Sequence, residues 1–309
     1  MEPKFKVIAL GCTGGPRESD ISGYMVYPID NPDEALIIDA GTLLNGIIVA
    51  GERGNLIDFH CESGALTAVG EVFLKKVRGY LISHAHLDHI AALVINSQVD
   101  SGHKFIAATD STIKDLSDHI FNNVIWPNYG SEGREPILKK YQYVRTPLHE
   151  MVELPHVKFK VESHRLSHPH DYPSTAFLLE YKDSYLLYFG DTSPDVLEKE
   201  KHLAHIWKRI APLIREGKLQ GMLLECSVPD LDSEQVIYGH LNPKMLIQEL
   251  RQLELEVGGS LNGLKVIVTH RKESLLRQTT LEQIVDQIRA SSDLSVEFIF
   301  PMQGDRIPL

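Results

Sequence analysis

The sequence has few cysteines and no pair of the C-x-x-C type. Among its 309 residues are three cysteines, Cys12, Cys61 and Cys226, which lie far apart in the chain. This spacing suggests neither a disulfide framework nor a thiolate zinc cluster. We interpret all three as small buried apolar side chains.

Long apolar runs and an excess of basic charge are also missing. No run of 18 apolar residues occurs, and no basic-then-apolar leader precedes the strand pattern that begins at Phe5. We therefore predict a cytoplasmic protein without a membrane partner. The formal net charge is −11, from 31 basic and 42 acidic residues. Because a phosphate backbone requires a basic face, we expect no nucleic-acid partner. A small anionic substrate drawn in by metal ions is compatible with this charge, and so is a homodimer.

Strand and helix patterns alternate irregularly along the chain, without a linker long enough to separate domains. We predict one domain over residues 1–309, with helical insertions around 42–76 and 110–150. Candidate metal-binding residues follow several apolar strand patterns. Two packed sheets flanked by helices would present such residues along one edge.

The most informative stretch places three imidazoles and one carboxylate within six residues. His84, His86, Asp88 and His89 directly follow the apolar run at 80–82. Residues two apart on an extended strand point to the same side, so His84 and His86 can bind one cation together. Asp88 and His89 lie at the turn into the next helix and can face a second cation. Two cations roughly 3.5–4 Å apart can share one hydroxide and hold a phosphoryl or acyl oxygen.

Polar residues at other strand ends extend this pattern. Asp39 follows an apolar strand pattern and can accept a hydrogen bond from a metal-bound histidine, which fixes its tautomer. Asp191 can use its two oxygens on two cations. One histidine from the segment 164–170 should complete the first site, and the candidates are His164, His168 and His170.

The motif from His84 to Ser97 resembles that of the class II cyclic-nucleotide phosphodiesterases, within the metallo-β-lactamase fold. The segments 119–128, 225–227 and 238–270 carry the same resemblance. It implies an αββα metallo-β-lactamase sandwich of two mixed sheets flanked by helices. It also favours His168 as the third histidine of the first site, with Asp39 supporting a metal-bound histidine. The implied metal ligands are His84, His86 and His168 for one ion, Asp88, His89 and His270 for the other, and Asp191 between them.

The resemblance further implies a hydrolase that cleaves the 3′ ester of cyclic AMP or cyclic GMP to give a 5′-nucleotide. Imidazole and carboxylate without thiolate suit two Zn²⁺ ions first, and Mn²⁺ or Fe second. Glu225 would orient His240, which would give a proton to the leaving 3′ oxygen. The expected catalytic residues are Asp88, His240 and Glu225. The expected substrate contacts are His240, His170, Ser174, Thr175 and Trp126, the last by stacking on the base.

Three alternatives share parts of this pattern. A tRNA 3′-processing endonuclease would use the same histidines and the Glu225–His240 pair, but the acidic charge argues against it. A thioester or lactam hydrolase of this fold would share the metals without an evident use for that pair. A metal-binding protein without hydrolase activity is the non-enzyme alternative.

Overall fold

The computed structural model of this chain describes residues 3–62, 64–169, 172–230, 239–275 and 279–309. Within these ranges, two seven-stranded sheets pack face to face. The first has the strand order β14-β1-β2-β3-β4-β5-β6, and the second has the order β13-β12-β11-β10-β9-β8-β7. The strands are β1 Phe5–Gly11, β2 Gly23–Pro28, β3 Ala35–Ala40, β4 Val77–Leu81, β5 Lys104–Ala108, β6 Tyr141–Arg145, β7 Met151–Glu153, β8 Lys160–His168, β9 Tyr172–Tyr181, β10 Ser184–Phe189, β11 Leu219–Glu225, β12 Lys265–Thr269, β13 Glu297–Ile299 and β14 Arg306–Pro308.

Helices cover the outer face of each sheet. They are α1 Leu44–Glu52, α2 Ala68–Glu71, α3 Leu87–Asn96, α4 Asp110–Asp115, α5 His202–Arg215, α6 Pro243–Val257 and α7 Thr280–Ser291. Short 3₁₀ turns lie at Pro32–Glu34 and Asp195–Leu197, and π-helical turns continue α2 over Val72–Lys76 and α4 over Leu116–Ile120. Across the described ranges, none of the helices combines the length and the apolar character that a membrane crossing requires.

The apolar core has three parts, which fill the three interfaces between the four layers of helices, sheet, sheet and helices. One part lies between the first sheet and α1 and α3, and includes Ile47 and Ile90. A second fills the space between the two sheets, with Phe5 and Phe177 among its members. The third lies between the second sheet and the helices α5, α6 and α7. The predicted sandwich of two mixed sheets between helices is therefore the architecture observed.

Parallel pairing brings the carboxyl ends of several strands to one edge. In the first sheet β3, β4 and β5 run parallel, and in the second β10, β11 and β12 do so. Asp39 lies at the end of β3, and the histidine motif directly follows β4. Asp191, Glu225 and His270 lie at or just past the ends of β10, β11 and β12. Ligands commonly bind at such an edge.

Several predicted elements have different boundaries in the structure. Alternating apolar residues at 157–161 predict a strand there, but β8 begins at Lys160 and continues to His168, so its histidines lie on the strand itself. Only the start of the insertion predicted around 110–150 is helical, because the chain turns after Ile120 and then forms β6. The apolar pattern at 65–76 predicts a helix there, but α2 begins at Ala68 and continues into a π-helical turn. The strands β6, β7 and β14 were not predicted.

Candidate metal centre

Two of the three groups of potential metal ligands among the described residues share one carboxylate. Within each group the ligand atoms all lie within 4.8 Å of one another. The first group is His84, His86, His168 and Asp191, and the second is Asp88, His89, Asp191 and His270. Asp191 is central, with its Oδ2 3.9 Å from His84 Nε2 and its Oδ1 3.1 Å from His270 Nε2. The structure thus brings together every residue that the sequence predicted as a metal ligand.

The first turn of α3 sets the geometry of the local motif. His86 is the N-cap residue of this helix and has an extended backbone, whereas Asp88 and His89 are helical. His84 and His89 are buried, and His86 is exposed. His84 Nε2 lies 3.0 Å from His86 Nδ1, so both atoms can face the same ion.

Asp39 is buried beneath the motif and accepts four hydrogen bonds. Its Oδ2 accepts from His89 Nδ1 at 2.8 Å, from the Ser83 hydroxyl at 2.7 Å and from the Tyr188 hydroxyl at 2.5 Å. Its Oδ1 accepts from the Ser83 amide at 2.8 Å. Because the Ser83 hydroxyl donates to Asp39, it accepts from His84 Nδ1, which lies 3.0 Å away. These bonds leave Nε2 of both His84 and His89 free for a metal.

Glu225 and Ser227 repeat this arrangement on the other side of the site. The Ser227 hydroxyl donates to Glu225 Oε2 at 2.5 Å and accepts from His270 Nδ1 at 2.9 Å. The Nδ1 of His168 is similarly held, by the carbonyl of Gly239 at 3.2 Å. Buried groups therefore orient His84 and His270 through a serine hydroxyl, His89 directly through Asp39, and His168 through a backbone carbonyl.

The glycine-dense turn after β1 allows a close approach to His270. A Cβ atom added to Gly14 would lie 2.3 Å from the His270 ring. His270 itself has a φ of 55°, in the left-handed region. Such a backbone costs of order 1–3 kcal/mol for a residue other than glycine, and it persists where the surrounding structure enforces it. This turn therefore covers one side of the histidine.

Buried polar atoms without hydrogen-bond partners show that the site fits metal ions. Among the described residues, His89 Nε2 and Asp191 Oδ1 are buried and lack a hydrogen-bond partner, although they lie 3.2 Å apart. A buried atom of this kind is costly unless something binds it. A divalent cation between the imidazole and carboxylate groups would satisfy both atoms, and this donor set suits metal ions.

Burial and neighbouring charges adjust the protonation of these groups. Burial lowers the pKa of His168 to about 4 and holds that of His84 well below its usual value, so both rings are neutral at pH 7. Burial also disfavours a charge on His89, but the Asp191 and Asp39 carboxylates outweigh it and raise the pKa. A metal ion would take the place of that proton. Burial opposes ionisation of Asp191, but the surrounding histidines, with His270 first, hold its pKa well below the usual range.

His240 lies beside the shared carboxylate, outside these two groups, and forms the third group of potential ligands with Glu225 and His270. Its Nδ1 is 3.1 Å from Glu225 Oε1 and 3.9 Å from Asp191 Oδ2. Burial opposes a charge on this ring, but the Glu225 carboxylate outweighs burial and raises the pKa of His240. Glu225 also accepts the amide of Thr192 at 2.7 Å, which fixes its position. With Nδ1 bonded to Glu225, the ring presents Nε2 to a ligand.

The three candidates for the third histidine of the first group separate in the structure. His168 lies in that group. His164 lies elsewhere on β8, with its Nε2 3.3 Å from Glu162 Oε1 and its ring beside His149. His170, also predicted as a substrate contact, lies outside the described residues.

Three of the predicted substrate contacts, Ser174, Thr175 and Trp126, pack within the sheet or against the core. Ser174 and Thr175 are each 1% exposed, because β9 begins at Tyr172 and encloses them in the sheet. The indole of Trp126 packs against the core and donates to Ser97 Oγ at 2.9 Å. Ser97 caps the far end of the ten-residue helix α3, about 15 Å from its first turn. The role of these three residues as substrate contacts therefore stays a prediction.

Sequence reasoning missed several residues that hold the site together. Ser83 directly precedes His84, and Ser227 lies two residues after Glu225. A hydroxyl so near a predicted site residue is a signal that could have identified both serines. Tyr188 and Tyr172 lie on strands β10 and β9, where a tyrosine is as typical of the core as of a site. Their distance along the chain from the histidine motif does not indicate that they contact it.

Comparison with known proteins agrees with this geometry. Residues 58–304 match the family described as class-II cAMP phosphodiesterases. The chain is 35% identical over 306 residues to the 3′,5′-cyclic-nucleotide phosphodiesterase of Aliivibrio fischeri, covering 98% of this chain and 92% of that protein. It is 28% identical to the enzyme of the same name from Schizosaccharomyces pombe, covering 98% of this chain and 93% of the relative.

Solved structures show the same fold. Unliganded yeast PDE1 superposes with a TM-score of 0.86 at 22% identity, covering 99% of this chain and all (100%) of that one. The metallo-β-lactamase fold protein YhfI from Bacillus subtilis matches with a TM-score of 0.61 at 17% identity, covering 98% and 99%. The short form of human tRNase Z matches less well, with a TM-score of 0.51 at 14% identity, covering 98% of each chain. The predicted fold and resemblance are confirmed, and the chain belongs to the class-II cAMP phosphodiesterase family.

Proposed function

We propose that this protein hydrolyses 3′,5′-cyclic nucleotides to 5′-nucleotides with two divalent metal ions. His84, His86 and His168 would hold one ion, and Asp88, His89 and His270 the other, with Asp191 between them. Imidazole and carboxylate donors favour Zn²⁺, followed by Mn²⁺ or Fe. The relatives named as cyclic-nucleotide phosphodiesterases support this substrate class.

One observation carries the proposal. Asp191 belongs to both ligand groups, and the Glu225–His240 pair lies next to it. When bound, a metal pair supplies Lewis acidity and activates water for attack on a phosphorus atom. The chain's own groups then have to hold the reacting phosphate in this buried space and supply a proton to the leaving oxygen.

His240 is suited to donate that proton. The Glu225 carboxylate holds its Nδ1 and raises the pKa of the ring, which keeps Nε2 protonated nearer to neutral pH. The 3′ alkoxide of the ribose is a poor leaving group, so a positioned acid is worth about 10²–10⁴ in rate. Glu225 acts on the substrate only through His240 and is therefore a positioning residue.

The acid role is tested by changing the leaving group. We expect His240→Ala to lower kcat for cyclic AMP about 100-fold or more while the metal content stays near that of the wild type. A diester with a 4-nitrophenolate leaving group needs no proton, so its hydrolysis should fall much less. An equal fall for both substrates would contradict the acid role, and a loss of metal would make His240 a ligand.

The substrate class is tested with cyclic AMP, cyclic GMP and a precursor tRNA, with metal analysis alongside. We expect 5′-AMP or 5′-GMP to be released and the tRNA to remain uncut. Metal-loaded protein that cleaves none of them would favour a metal-binding protein without hydrolase activity.

The role of Asp191 as a shared ligand is tested by Asp191→Asn. This variant should lose one of the two ions, and full occupancy by two ions would contradict a shared ligand.

A further inference from the structure

An apolar groove of about 530 Å³ runs along α3 and opens beside the metal centre. We call it the α3 groove. Its apolar lining comes from Ile21, Leu43, Leu87, Ala91 and Ile95. Cavities of about 300–1,000 Å³ with such a lining are typical of small-molecule sites. Asp88 also lines the groove, and it belongs to the second group of metal ligands.

The face of α3 that lines the groove is apolar although it faces away from the core. Leu87, Ala91 and Ile95 are spaced by four residues and therefore lie on one face of the helix. Leu87 is 67% exposed and Ile95 is 63% exposed, whereas Ile90 and Leu93 on the opposite face are fully buried. The core packs against the opposite face of α3, which carries Ile90 and Leu93. The exposed apolar side chains of Leu87 and Ile95 are therefore available to a ligand.

The lining of the groove includes a buried hydroxyl for which the described part of the chain supplies no hydrogen-bond partner. Thr42 is 3% exposed, and among the described residues its Oγ1 is one of the few buried side-chain oxygens without a hydrogen bond. The neighbouring amides are fixed by the chain. Asn96 Oδ1 accepts the Leu44 amide at 3.2 Å, and Asn45 Nδ2 donates to the Ser19 carbonyl at 3.1 Å. These bonds leave Asn96 Nδ2 as a donor and Asn45 Oδ1 as an acceptor.

A second cavity near the centre has a different chemistry. It is about 570 Å³ in volume and is lined by Arg165, Lys199, Glu198 and Glu200. No member of the two metal-ligand groups lines it, and its charged side chains would have to lose water to cover a flat aromatic ring. The α3 groove, by contrast, is continuous with Asp88 and mostly apolar.

We infer that the α3 groove binds the nucleobase and ribose of the substrate. This inference rests on the proposed function, because it assumes that the reacting phosphate lies at the metal centre. The faces of a purine would contact Leu87, Ala91 and Ile95, and polar atoms of the nucleoside would meet Thr42 and the two asparagines. The groove, rather than the metal centre, then determines the preference for cyclic nucleotides over smaller phosphodiesters.

The test compares cyclic AMP with methyl 4-nitrophenyl phosphate, a small diester without a nucleoside. The measured quantity is the ratio of kcat/KM for the two substrates. Ala91→Phe, which fills the groove, should lower this ratio about 10-fold or more, and Ile95→Gln, which is neutral, about 3-fold. Val99→Gln is the matched control, because Val99 is also 63% exposed but does not line the groove. An unchanged ratio in Ala91→Phe and Ile95→Gln would overturn the inference.

Thr42→Val provides an independent measurement. Since the hydroxyl has no hydrogen-bond partner among the described residues, we expect no fall in Tm, together with a ratio lowered about 5-fold. A lower Tm with an unchanged ratio would mean that Thr42 is only structural.

Calorimetric titration with AMP distinguishes a failure of the proposed function from a failure of the groove assignment. If the wild type binds AMP but hydrolyses no cyclic nucleotide, the proposed function fails. If Ala91→Phe binds AMP as tightly as the wild type does, the groove assignment fails.

Discussion

The ring of Tyr172 is stacked on His86, with the centroids 4.6 Å apart and the planes inclined by 6°. The Tyr172 hydroxyl donates to Asp115 Oδ2 at 3.0 Å, which ties the ring to α4. His86 is the exposed member of the first ligand group, and Tyr172 supports it from the side. The other histidines of the two groups are instead oriented by a hydrogen bond to one ring nitrogen.

We predict that Tyr172→Leu weakens metal binding at the first group about 10-fold, since groups that orient a metal ligand commonly contribute this much. Tyr172→Phe keeps the stacked ring, and its metal affinity should fall much less. Competition with a chromogenic chelator measures both affinities directly. Equal losses in the two variants would show that the hydroxyl, and not the stacking, positions His86.

The two serine relays should affect different ions. Ser83→Ala removes the group that orients His84, and Ser227→Ala removes the group that orients His270. We expect each variant to lower the affinity for one ion about 10-fold and to leave the other ion bound. Metal analysis after dialysis against graded chelator gives the stoichiometry. If both variants lost the same ion, the assignment of His84 and His270 to separate ions would be wrong.

Replacing Asp39 should be costly for folding as well as for metal binding. Asp39→Asn places an amide NH₂ opposite donors that now converge on a carboxylate. Leaving buried donors unsatisfied costs about 1–3 kcal/mol each, so we expect a clear fall in the free energy of unfolding. Tyr188→Phe removes a single donor and should cost less. Denaturant titration of metal-free protein separates this loss from that of the ions, and a cost no larger than that of Tyr188→Phe would contradict the prediction.

The buried Glu162 should make the free energy of unfolding depend on pH in the acid range. Burial alone would raise its pKa, but His164 and the Arg209 guanidinium outweigh burial and lower the pKa to about 2. The folded value lies below the ordinary value, so the ionised carboxylate stabilises the fold above about pH 4.5. This contribution, about 1–3 kcal/mol, is lost as the pH falls toward 2.

Glu162→Gln tests this linkage. The difference in unfolding free energy between wild type and Glu162→Gln should be largest above about pH 5 and should shrink steadily below it. Glu180→Gln is the matched control, because its partner Lys160 is 42% exposed and such pairs contribute little. A difference that stayed constant between pH 5 and pH 2 would rule out the linkage.

Parts of the fold and site that depend on short segments were predicted well. The apolar run at 104–108 predicts β5, the turn residues at 182–184 predict the hairpin of β9 and β10, and Asn242 before Pro243 predicts the cap of α6, as the structure shows. Local patterns say less about the surroundings of a side chain. Trp126 and Ser174 are predicted substrate contacts, and the structure packs Trp126 against the core and buries Ser174 in the sheet.

The sequence by itself determined the chemical character of the centre. His84, His86, Asp88 and His89 are neighbours in the chain, and a strand followed by a helix is enough to direct them to one place. Only the tertiary structure decided which groups support them. Asp39 reaches Ser83 across 44 residues and Tyr188 across 149, and Tyr172 reaches His86 from the other sheet. The same holds for the α3 groove, whose lining comes from separate segments. Contacts over such separations depend on how the two sheets pack, which no local pattern specifies.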